Sequence, residues 1–82
     1  MTVIESVRDH VERTLVDSFE VEPAALRPDR TLDGLGLDSL AIVELIDIMA
    51  GDLGLILEDD ALRPGMTVDE IVRALEDAGE SR

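Results

Sequence analysis

The chain has 82 residues, 20 of them acidic and 7 basic, for a formal net charge of −13, with no Cys and a single His. That length makes one small domain, spanning 1–82. The charge argues against nucleic-acid and anionic-membrane binding, which need clustered Lys and Arg; the missing Cys excludes disulfide scaffolds and thiolate zinc sites, and one His cannot build a His-rich metal centre.

The first element opens on Thr2-Val3-Ile4-Glu5, a capping box in which the Thr2 hydroxyl accepts from the Glu5 amide and the Glu5 carboxylate reaches back. Ile4, Val7, Val11, Leu15 and Phe19 follow at spacings of three and four. That is one apolar stripe, and it predicts a helix over about residues 3–18. From 20 to 37 the periodicity stops and Pro23, Pro28, Gly34 and Gly36 punctuate the chain. So long a loop is uncommon in a small domain. Its Val21, Leu26, Leu32, Leu35 and Leu37 suggest that it lies ordered across the core. Glu22-Pro23 fits the start of a short helical turn near Pro23 and Leu26.

Asp38 is a strong N-cap, and Ser39 takes the first position of the next helix. At about 100° per residue, Ile42, Leu45, Ile46, Met49 and Leu53 share one side. Leu40, Glu44, Asp47 and Gly51 share the other, with Val43 and Ile48 flanking. The solvent face thus mixes acids with exposed aliphatics. Gly51 and Gly54 are expected to mark the end. Glu58, Asp59 and Asp60 lead into one short helical turn at Ala61-Leu62, closed by Pro64-Gly65. Thr67-Val68-Asp69-Glu70 is a second capping box, with Met66 and Ile71 placed as a hydrophobic staple. Val68, Ile71, Val72 and Leu75 form the last core stripe, which Gly79 is expected to close. The fold class is all-α: three main helices, one minor helix and a long first loop.

The acidity does not signal disorder. Leu, Ile, Val and Phe make up about a third of the chain, well above the roughly 20 % that marks disordered composition. No apolar run approaches the roughly 18 residues of a membrane span. No basic stretch followed by an apolar core opens the chain, so no signal peptide is expected and a cytoplasmic location is. Met1 at a helix cap and the absence of linkers suggest a free-standing chain.

Candidate chemistry is sparse. Ser39, His10 and the many Asp residues do not form a hydrolytic triad in sequence, because the Gly-x-Ser-x-Gly elbow is missing. His10 reads as a partly exposed surface residue at the edge of the first stripe. Asp29, Thr31, Asp33 and Gly34 fit positions of a calcium loop, but Leu40 falls where its bidentate Glu must be. Glu58, Asp59 and Asp60 could attract divalent ions only diffusely. Ser39 is the informative residue. It sits at a helix N-terminus after a Gly34-Leu35-Gly36-Leu37 approach expected to be mobile, where unpaired amides and the helix dipole favour an anion. On position alone it could equally be a second capping residue.

The stretch Leu32-Asp33-Gly34-Leu35-Gly36-Leu37-Asp38-Ser39-Leu40, followed by Val43-Glu44-Leu45, closely resembles the phosphopantetheine attachment motif of acyl carrier proteins. The likeness extends over almost the whole chain. It implies a four-helix bundle with a short third helix, and a non-catalytic carrier role. It implies covalent 4′-phosphopantetheine on Ser39 Oγ, taken from coenzyme A by a phosphopantetheinyl transferase that recognises Asp38. Thioester chemistry needs a thiol, and this chain has none of its own. The resemblance also implies that Leu40, Val43, Glu44 and Asp47 dock against basic patches of ketosynthases, acyltransferases or other acyl-processing enzymes, with the carrier a monomer. Leu40 and Ile48 are expected to be exposed for this purpose.

Ala41, Asp47 and Gly51 depart from the carriers of ordinary fatty acid synthesis. These departures point to a specialised polyketide or related pathway. A peptidyl or aminoacyl carrier and an unmodified interaction module of the same fold are the alternatives. Leu37-Asp38 argues against the first, and the intact Asp38-Ser39-Leu40 argues against the second.

Overall fold

Helix α1 (Val7–Phe19) starts where Ser6 holds an extended backbone and its hydroxyl accepts a hydrogen bond from the Asp9 amide. The computed structural model describes residues 6–80. The Thr2 and Glu5 capping box therefore lies outside the described residues, and the helix begins later than the apolar spacing alone suggests because Ser6 caps it. α1 ends at Glu20, a non-glycine residue in the left-handed region at φ 58°. Val11 and Leu15 are fully buried, and Val7 and Phe19 pack partly against the same core.

Pro23–Ala25 forms the expected short turn, as a 3-10 helix with Pro at its start. The rest of the long loop is ordered as its apolar residues required: Val21, Leu32 and Leu37 are buried, and Leu26 and Leu35 pack at the core's edge. Helix α2 (Ser39–Leu53) follows, with Gly54 in the left-handed region as its C-cap. Ile42, Leu45, Ile46 and Met49 are buried as predicted, with Leu53 partly so. Gly51 does not end this helix. It lies inside, with open space where a Cβ would stand.

Residues 55–65 carry no α-helix. The helical turn expected at Ala61-Leu62 does not form: a single turn at Asp59 and Asp60, closed by the Ala61 amide donating to the Glu58 carbonyl at 3.0 Å, precedes a bend at Ala61 and Leu62, where Leu62 is buried. Helix α3 (Val68–Glu80) starts at the predicted capping box. The Glu70 amide donates to Thr67 Oγ1 at 3.1 Å and the Thr67 amide donates to Glu70 Oε1 at 2.9 Å. Met66 packs against the core that buries Ile71. Gly79 is also helical, and a Cβ there would lie 3.7 Å from Leu55 Cδ2.

Among the described residues, the three α-helices share one aliphatic core with the long loop. A ladder of backbone bonds clips the loop to the α3 lead-in. Leu32 N–H to the Met66 carbonyl and Val68 N–H to the Arg30 carbonyl form an isolated antiparallel bridge that sets Thr31 opposite Thr67. Asp33 N–H to the Pro64 carbonyl and Asp69 N–H to the Pro28 carbonyl extend it on either side. Arg8 on α1 bonds to Asp69 in the first turn of α3, where an acid also favours the helix dipole. Among the described residues, no helix is long and apolar enough to cross a membrane.

Candidate functional site

The site is built at the junction of the long loop and α2. Leu32 is fully buried and acts as its anchor. From there the chain turns sharply. The Leu35 amide donates to the Thr31 and Leu32 carbonyls, Gly36 to Asp33, and Leu37 back to Leu32. The Gly34 amide donates to Thr31 Oγ1 at 3.0 Å, and a Cβ on Gly34 would lie 3.0 Å from that same oxygen. Gly36 adopts φ +90°, which side chains rarely tolerate. The approach expected to be mobile is thus a hydrogen-bonded series of turns, ending where Leu37 plugs into the core.

Burying Leu37 forces the next residues outward. Asp38 is extended and caps α2, its Oδ1 accepting from the Ala41 amide at 2.8 Å while its carbonyl accepts from the Ile42 amide. Ser39 is the first helical residue and is exposed. The free amides of the first turn and the positive end of the helix dipole favour an anion at this position.

A shallow depression of about 210 Å³ lies beside Ser39, lined by Ile42, Val43, Leu62 and Pro64 with Asp59, Asp60 and Arg63. Sequence reasoning did not associate Arg63 or Pro64 with Ser39. They lie more than twenty residues away, and the turn at 59–64 brings them there. The exposed Ser39 with open space alongside is a fit for a covalently attached arm: nothing buried has to move to admit it.

The expected docking residues share one face, since Leu40, Val43, Glu44 and Asp47 follow the i, i+3, i+4, i+7 pattern of a helix stripe. Leu40 is 70 % exposed and Val43 43 %, and Glu44 and Asp47 are exposed beside them. Ile48, expected to be exposed, is instead half-buried against the core at the edge of this face.

The other candidates stand apart. His10 Nε2 lies 2.9 Å from Asp52 Oδ2, tying α1 to the end of α2 rather than facing Ser39. Of the calcium-loop residues, Thr31 is engaged in the bridge to Thr67 and in the Gly34 turn. Among the described residues, no three His, Cys, Asp or Glu side chains are grouped to hold a metal ion.

Comparison with known proteins bears on the same segment. Residues 9–75 match the family model described as the phosphopantetheine attachment site. The chain is 32 % identical to an acyl carrier protein of Solidesulfovibrio magneticus, with 87 % of this chain and 92 % of that one covered. It is 29 % identical to an acyl carrier protein of Campylobacter hominis, with 100 % of each covered.

Proposed function

The chain belongs to the acyl carrier protein family, whose cofactor is phosphopantetheine, and on that premise we propose that Ser39 Oγ is the atom that carries the 4′-phosphopantetheine arm. The observation that carries this reading is local: Ser39 is exposed at the first position of α2, directly after the capping Asp38. Bound there, the arm supplies the thiol on which acyl groups are held as thioesters. The protein's own residues perform no chemistry on the cargo. They present an anchor, hold it at a fixed helix end, and leave space beside it.

The whole chain acts as one non-catalytic carrier domain in the cytoplasm. A phosphopantetheinyl transferase reads Asp38 and modifies Ser39. Acyl-processing enzymes with basic patches then dock on Leu40, Val43, Glu44 and Asp47, and long-range attraction makes these encounters fast and salt-sensitive. The exposure of two aliphatics among acids on this face supports that role.

The pathway is a specialised polyketide or related one. Asp47 supports this, because it places a second exposed carboxylate on the docking face where carriers of ordinary fatty acid synthesis resemble one another in having an apolar residue. Intact-mass measurement after incubation with coenzyme A, magnesium and a broad-specificity transferase tests the central claim. A gain of one phosphopantetheinyl group is expected in the parent and none in Ser39→Ala. No gain in a folded parent sample contradicts the carrier assignment.

A further inference from the structure

A second depression, of about 310 Å³, runs between the C-terminal end of α1 and the exposed face of α2. Ser18, Phe19, Glu44, Asp47 and Ile48 line it. Its apolar part is Phe19 and Ile48, each half-buried and packed against the core, so the groove has a firm base. Its charged lining residues are both acids. Glu44 and Asp47 are exposed, three apart, and lie on one side of α2. The exposed Ser18 adds a hydroxyl.

An aromatic ring, two carboxylates and a hydroxyl around one open groove match the chemistry of a guanidinium group. Such a group stacks on an aromatic face, forks onto carboxylates and lays its methylene stem on apolar surface. A compact, strongly hydrated ammonium uses fewer of these features. The sign of the charge argues against a second copy of this chain, because a −13 protein would bring more carboxylates to the groove. The groove is also continuous with the α2 docking face, since Glu44 and Asp47 belong to both.

We propose that this groove receives one arginine side chain from the basic patch of a partner enzyme, so that Phe19 on α1 is part of the recognition surface. This rests on the docking role given to α2 and names the side chain that face takes. It also extends the face beyond the single helix on which it was read.

The test is a titration of the full-length, isotope-labelled protein with the blocked tripeptide acetyl-Ala-Arg-Ala-amide at low salt, followed by amide chemical shifts, beside its Lys analogue. Shifts are expected to concentrate at Ser18, Phe19, Glu44, Asp47 and Ile48, with the arginine peptide binding at least about threefold more tightly than the lysine peptide. Asp47→Asn, at an exposed site, is expected to weaken arginine binding by about threefold or more. Phe19→Leu, checked for folding by circular dichroism, is expected to reduce arginine binding to the lysine level. Equal affinity for the two peptides, or shifts as large at Glu58, Asp59 and Asp60 as in the groove, would overturn the proposal. Modification of Ser39 is read separately by mass, so failure here leaves the carrier assignment standing.

Discussion

Asp38 Oδ1 accepts a hydrogen bond from the Ala41 amide at 2.8 Å. The residue immediately before the proposed anchor is therefore also the one that starts its helix. The capping role of Asp38 and the recognition role proposed for it fall on one side chain, and two substitutions separate them. Asp38→Ala removes the cap and is expected to cost about 1 kcal/mol of stability. Asp38→Asn keeps a good cap and removes the charge. Urea unfolding should leave the Asn variant close to the parent, while its rate of phosphopantetheine loading falls if the transferase reads the carboxylate. Loading of Asp38→Asn at the parent rate would assign Asp38 to capping alone.

Thr67 and Glu70 form the reciprocal pair at the start of α3, and Thr67 also bridges to Thr31 in the long loop. Thr67→Ala is expected to destabilise by about 0.5–2 kcal/mol. Thr67→Ser keeps the hydroxyl and should recover most of the loss. Because the loop leading to Ser39 is clipped to this segment, amide exchange at Leu32 and Asp33 should rise in the Ala variant more than in Ser.

Two backbone positions predict gains. Gly51 is exposed inside α2 with open space around its missing Cβ, so Gly51→Ala is expected to stabilise by about 0.5–1 kcal/mol. Glu20 presents the opposite case, a side chain held at φ 58°. Glu20→Gly relieves that conformation, less the extra freedom it gives the unfolded chain, for a net gain of about 0.5 kcal/mol. Chemical denaturation of both variants checks the signs.

Salt should stabilise the protein. With a net charge of −13, repulsion among carboxylates opposes compaction, and screening at about 0.15 M salt reduces its range to roughly 8 Å. The melting temperature is expected to rise from low to moderate sodium chloride. Partner docking should weaken over the same range. An unchanged melting temperature would mean that local ion pairs such as Arg8 with Asp69 already offset the repulsion.

The sequence by itself determined the helices, the α2 and α3 caps and the place of Ser39 at the start of α2. Apolar spacing and capping residues are local properties, so Asp38 before Ser39 and Thr67 with Glu70 could be read directly, as could the core face of α2. A local signal also misled within α2. Gly51 was absorbed into α2 because the burial of Met49 and the left-handed Gly54 govern where that helix ends. Only the tertiary structure decided what lies beside what. Arg63 and Pro64 come to Ser39, and Phe19 comes to Glu44 and Asp47, through packing of segments far apart in the chain. No periodicity encodes those distances, because they depend on how the shared core brings whole elements together.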